Sequence, residues 1–238
     1  MADFVQLWVY LASTPLFGLT ATITAYVIAH ALYQRFDRAP WANPVLWSVI
    51  LIGATLLSTH TAYPTYFAGA QFVHVLLGPA VVALGWPLWE RRAELRSRWA
   101  TLLVAALVGG AAASLTAVLI GAAVGLPSEV LRSLAPKSVT APVAMGIAER
   151  IGGIPALSAV FAVLTGVIGA ISGKYIFDAL RIRDWRARGF ALGTASHGIG
   201  AARALQVDKD AGAYAGLALG LQVLLASLLM PLAAGWLP

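Results

Sequence analysis

Four stretches of this chain, Phe4 to Gln34, Ala39 to Trp89, Trp99 to Ser128 and Ala211 to Pro238, contain no Asp, Glu, Lys or Arg. About 20 predominantly apolar residues carry one helix across the hydrocarbon of a bilayer, where the backbone must satisfy its own hydrogen bonds. Each stretch is long enough for a crossing, and the second for two. The whole chain agrees, with 60% hydrophobic and 11% charged residues, against about 25% charged in ordinary soluble domains. The expectation is an all-α polytopic membrane protein, one transmembrane domain over residues 1–238.

The formal charge of +6 comes from arginines grouped between apolar segments. They read as orientation signals, not as a nucleic-acid footprint, and no nucleic-acid partner is expected. Arg35 and Arg38, Arg91 to Arg98, and Arg181 to Arg188 mark cytoplasmic loops. The aromatic stretch "HTAYPTYFAGAQ", His60 to Gln71, carries no cation and reads as an external interfacial loop. The N-terminus lacks a basic n-region and is expected to start an uncleaved first helix. With no cysteine in the chain, thiolate metal sites and cysteine nucleophiles are excluded.

Six full transmembrane helices are expected, near 4–30, 44–60, 71–89, 99–125, 154–178 and 213–236. Two further segments, 128–150 and 190–206, are shorter and interrupted, the first by Pro136 and Pro142, the second by Gly198 and Gly200. These are expected to be broken or re-entrant helical elements. Aligning "LAPKSVTAPVAMGIAE" from Leu134 with "LGTASHGIGAARALQV" from Leu192 pairs Ser138 with Ser196. By the arginine count the two units enter the membrane from opposite sides, as inverted repeats of secondary transporters do.

Interrupted helices in hydrocarbon free peptide N–H groups, and a helix starting at such a break turns its positive dipole end toward an anion. Each break here also brings cations or hydroxyls: Lys137, Ser138 and Thr140 in one; Thr194, Ser196, His197 and Arg203 in the other. These are the candidate substrate-binding residues. Arginine suits a carboxylate because its fork engages both oxygens. The bland alternatives are snorkelling for Lys137 and Arg203, and hydrogen-bonded packing for His197.

Acidic residues are missing from midmembrane positions, since Glu129, Glu149 and Asp178 all fall near segment ends, which disfavours a cation channel or pump. Asp178 reads as the partner of Lys174, four residues earlier. "GIGAAR" follows no strand and is no dinucleotide loop. Ser196 and His197 are sequence neighbours, a poor geometry for a nucleophile and its base. No histidines form a ligand-spaced pair. Neither catalysis, metal nor cofactor is expected. "GAYAGLALG" spaces Gly212, Gly216 and Gly220 as a helix-packing ridge, internal or in a homodimer.

The segments "LLGPAVVALGWPLWE", "LAPKSVTAPVAMGIAERIGGIPALSAVF" and "RARGFALGTASHGIGAARAL" resemble the LrgB/CidB family of bacterial inner-membrane proteins, over most of the chain from about Trp41 onward. The resemblance implies a multi-pass protein of the bacterial inner (plasma) membrane with a small LrgA/CidA-type holin-like membrane protein as partner. It also implies two competing functions. One is transport of small monocarboxylates such as glycolate, glycerate, pyruvate or lactate, by similarity to a plastid glycolate/glycerate translocator. The other is antiholin-like regulation of murein hydrolase activity and cell lysis.

Overall fold

The expected spans and interruptions can be placed in a computed structural model that describes residues 15–75, 79, 89 and 92–236. Every regular element among the described residues is helical. Among the described residues, four helices are long and apolar enough to cross a membrane: Leu16–Arg35, Trp99–Ala123, Pro155–Ala179 and Lys209–Ala233. At about 1.5 Å per residue, the three of 25 residues exceed the hydrocarbon thickness of about 30 Å. Their outer faces carry apolar side chains such as Leu119, Ile168 and Leu228, more than 60% exposed, as lipid contact requires. The protein is a multi-pass membrane protein.

The chain forms two compact units, residues 1–83 and 84–238. In the first, α1 (Pro15–Arg35), α2 (Pro44–Ser58) and α3 (Tyr63–Val75) pack together. Asn43 starts α2 by accepting from the N–H groups of Val45 and Leu46 at 2.9 and 3.2 Å, with Pro44 at the first helical position. The stretch expected to be an external loop is helical from Tyr63 onward. Gly18 explains why: a Cβ there would run into the Tyr66 carbonyl and lie 2.9 Å from the Ala70 nitrogen. Backbone contact of that closeness, with the Thr22 hydroxyl 2.7 Å from the Tyr66 hydroxyl, orders α3 against α1. Most of the expected crossing at 71–89 lies outside the described residues, as do residues 1–14.

The second unit holds the motifs. After the short α4 (Arg92–Ser97) come α5 (Trp99–Ala123), α6 (Ser128–Leu134), α7 (Ala141–Arg150), α8 (Pro155–Ala179), α9 (Trp185–Val207) and α10 (Lys209–Ala233). Helix α5 ends in a Schellman arrangement, with Leu126 N–H donating to the Gly121 carbonyl, Gly125 N–H to Ala122, and Gly125 at φ +78. Helices α9 and α10 meet at backbone distance, because side chains at Gly189 or Gly193 would strike the carbonyls of Ala211 and Ala215. Asp208 alone separates them, capping α10 through the N–H groups of Asp210 and Ala211. Of the glycine ridge on α10, Gly212 packs against Leu205 while Gly220 faces open space.

The acidic residues do sit at helix ends, but Asp178 pairs with Arg188 at 2.6 Å instead of Lys174. Arg188 also donates to the Ile182 carbonyl at 2.6 Å and lies over the Trp185 ring. A guanidinium can satisfy carboxylate, carbonyl and ring together, which the ammonium of an exposed lysine cannot.

Candidate functional site

The first interruption separates α6 from α7. Pro136, under 2% exposed, has no N–H to continue α6, and the chain turns with Lys137 N–H donating to the Leu134 carbonyl and Val139 N–H to Pro136. Pro142 has the opposite role, occupying the first turn of α7, where its missing N–H is no loss. Thr140 precedes that turn in an extended conformation and makes no side-chain cap, so the leading N–H groups of α7 receive nothing from it. Serines fasten the surroundings: Ser114 donates to the Ala135 carbonyl at 2.9 Å and Ser158 to the Ala144 carbonyl at 3.2 Å. Ser138 is buried, and the half-buried Lys137 ammonium lies 3.5 Å from its hydroxyl.

The second interruption lies inside α9. Its expected positions, Gly198 and Gly200, are both helical; the break falls at Ser196 (φ −125, ψ 16) and His197 (φ 42, ψ −135). His197 thus occupies a backbone region that glycine favours, held there at a cost of about 1–3 kcal/mol. Gly200 permits the bend from one turn away, since a Cβ there would sit 2.6 Å from the Leu192 carbonyl oxygen and 2.7 Å from Ser196 Cβ. The glycines therefore make room for the break without being the break.

What holds the strained residue is α8. The His197 ring is 2.8 Å from the Ala162 carbonyl through Nε2, which must carry the hydrogen because a carbonyl only accepts. A side chain at Gly166 would lie 2.8 Å from that ring, and one at Gly169 would overlap the Ser196 hydroxyl. The Ser196 Oγ is fully enclosed and has no hydrogen-bond partner. Ala162, Gly166 and Gly169 are the site residues that sequence reasoning missed. Their signal was present as a small-residue stripe at helical spacing, continued by Gly173.

The two interruptions come together. The Thr140 methyl lies 4.0 Å from where a Cβ on Gly198 would stand. The starts of α7 and of the second half of α9 therefore adjoin, with Lys137, Ser138, Thr140, Ser196 and His197 around them. Thr194 stands differently: its hydroxyl donates to Phe190 within its own helix at 2.8 Å, leaving its methyl toward Gly109 on α5. Arg203 lies more than one helical turn beyond the break, buried at 8% exposure and partnered. Two positive helix ends, one ammonium and hydroxyl donors, with the acidic side chains kept at helix ends, suit a small anion.

Residues 22–236 match the model of the LrgB-like family. YxaC of Bacillus subtilis, an uncharacterized protein, is 37% identical over 91% of this chain and 93% of its own length. An uncharacterized protein of Haemophilus influenzae is 31% identical, with 88% and 90% covered. Holin-like protein CidB of Staphylococcus aureus is 29% identical over 97% of both chains. No solved structure matches.

Proposed function

This chain belongs to the LrgB-like family, and from that premise we propose that it carries small monocarboxylates across the membrane, holding them between its two interrupted helices. The observation that carries the reading is the approach of Thr140, at the first interruption, to Gly198, the residue after the second, beside an enclosed Ser196 hydroxyl without a partner. Backbone freed in hydrocarbon costs several kcal/mol per unsatisfied group unless it lines a cavity or binds something. A carboxylate meets that need, with Lys137 as counter-charge, Ser138, Thr140 and Ser196 as hydroxyl donors, and His197 beside them. Thr194 and Arg203 flank this group, Arg203 as the second cation drawn on when the helices rearrange.

Uptake of labelled glycolate and pyruvate into liposomes holding the purified protein tests the reading, alone and with an LrgA/CidA-type partner. A charge-assisted hydrogen bond contributes about 1.5–3 kcal/mol, so Lys137→Gln should weaken carboxylate affinity about 10- to 150-fold. Arg203→Gln, farther from the break, should have a smaller effect in the same direction. Near-unchanged affinity in both variants ends the carboxylate reading.

A second reading is favoured by the relatives' names. CidB proteins of two Staphylococcus species are called holin-like. In that reading this chain is an antiholin-like regulator of murein hydrolase activity and lysis, oligomerises with its holin-like partner, and uses the polar breaks for assembly. Partner-dependent vesicle leakage, indifferent to carboxylates, would favour it over transport.

A further inference from the structure

A cavity of about 550 Å³ lies between α5 and the first half of α9. Its mouth is formed by Arg98, just before α5, and by Asp184 and Arg186 at the start of α9. The Asp184 carboxylate accepts from the Arg186 backbone N–H at 2.8 Å and lies 3.4 Å from its guanidinium. One carboxylate therefore faces two guanidiniums, and the mouth is net positive. Farther along the two helices the charged lining stops: the exposed Thr101, Ala105, Ala187 and Ala191 come next, and Gly109 and Thr194 lie about ten residues from the charged end. A Cβ at residue 109 would stand 3.0 Å from the Thr194 methyl. Thr194 is two residues from the break at Ser196, so the cavity ends where the interrupted part of α9 begins.

We propose that this cavity is an anion-selective vestibule leading to the second interruption, in which Arg98 and Arg186 draw a small anion inward and the bare backbone at Gly109 sets the size that passes. A cleft whose charged lining is net positive, between low-dielectric walls, focuses the field and raises local anion concentration; here Asp184 offsets Arg186 and Arg98 supplies the excess charge. The Thr194 hydroxyl is engaged within its own helix, so the narrow point offers a methyl group and an unsubstituted Cα: it filters by size, while the mouth filters by charge. The proposal rests on the reading of the break as an anion site, yet its charge selectivity can be measured without any transport.

The chain has no cysteine, so Ala105→Cys supplies a single thiol in the vestibule wall. In reconstituted protein, its reaction with an anionic methanethiosulfonate (ethylsulfonate) and a cationic one (ethyltrimethylammonium) is timed, each rate normalised to Leu126→Cys, outside the cavity. The anionic reagent is expected to react faster by about tenfold, an advantage that Arg98→Gln and high salt both reduce. Equal normalised rates, or a preference that Arg98→Gln combined with Arg186→Gln leaves unreduced, overturn the vestibule, whatever uptake shows. Anion preference without carboxylate uptake leaves the vestibule standing and removes the carrier reading. Gly109→Val, judged folded by gel filtration, should lower uptake at least tenfold while Ala105→Cys in the same background still reacts; unchanged uptake removes the size filter.

Discussion

The His197 ring donates its Nε2 hydrogen to the Ala162 carbonyl at 2.8 Å, tying the bend of α9 to an unbroken neighbouring helix at a residue whose own backbone is non-helical, with φ +42 and ψ −135. Tether and strain coincide because an imidazole that reaches α8 from this position needs the chain to turn as it does.

His197→Gly should be more stable than His197→Ala, by about 1 kcal/mol. Both lose the tether, but only glycine relieves φ +42. In an ordinary helix the order is the reverse, with Ala favoured by about 0.5–1 kcal/mol. Thermal unfolding in detergent decides, and alanine ranking above glycine would show that the backbone is unstrained.

Gly169→Ala should destabilise the protein by about 1–3 kcal/mol through overpacking against Ser196. Gly220→Ala, which meets no atom within 4 Å, should be neutral or gain up to about 1 kcal/mol of helix propensity. Adding Ser196→Ala to Gly169→Ala should recover part of the loss, since one colliding atom is gone. Strict additivity in that double mutant would argue against contact between the two residues.

Ser196→Ala should separate stability from binding. An enclosed hydroxyl without a partner contributes nothing favourable to folding, so the melting temperature should hold or rise. Affinity for a carboxylate should fall about 2- to 13-fold, the worth of one ordinary hydrogen bond. Calorimetric melting and ligand titration of the same preparation read both. A large drop in melting temperature would mean that the hydroxyl is structurally engaged.

The arginine-rich connection before α9 carries a pH-dependent cap. The Arg186 backbone N–H, then its guanidinium, hold the half-exposed Asp184 carboxyl below its ordinary value of 3.8. A carboxyl whose folded value is lowered adds stability that is fully present above the unfolded value and is lost as pH falls through the folded one. Asp184→Ala should therefore cost about 1 kcal/mol at neutral pH. The gap to the parent should close only under strongly acidic conditions, and a gap that stays constant there would mean the cap works without its charge.

Much of this architecture was legible in one dimension. Charge-free stretches of bilayer length have few alternatives to membrane helices, and the four long helices fall inside or close to the expected spans. Pro136 announced the first interruption because proline removes a backbone donor whatever surrounds it. Ser138 and Ser196, matched in the alignment, lie within or at the two observed interruptions. The candidate polar residues followed from the rarity of such groups in hydrocarbon.

Tertiary contacts decided the rest, for reasons no local pattern carries. The second break is at Ser196 and His197 instead of Gly198 and Gly200 because Gly166 and Gly169 on α8 leave room there for a ring and a hydroxyl, and the Ala162 carbonyl anchors the ring. Residues 63–75 are helical because Gly18 lets α1 and α3 touch at backbone distance. Asp178 chose Arg188 over its helical neighbour because the turn after α8 delivers a guanidinium. Sequence by itself determined that long apolar segments cross the membrane and that two later segments are interrupted, since solvation of charge and backbone acts on each residue separately. Where the second interruption bends, and which side chains meet there, depends on the shape of facing helices, and only the fold supplies that.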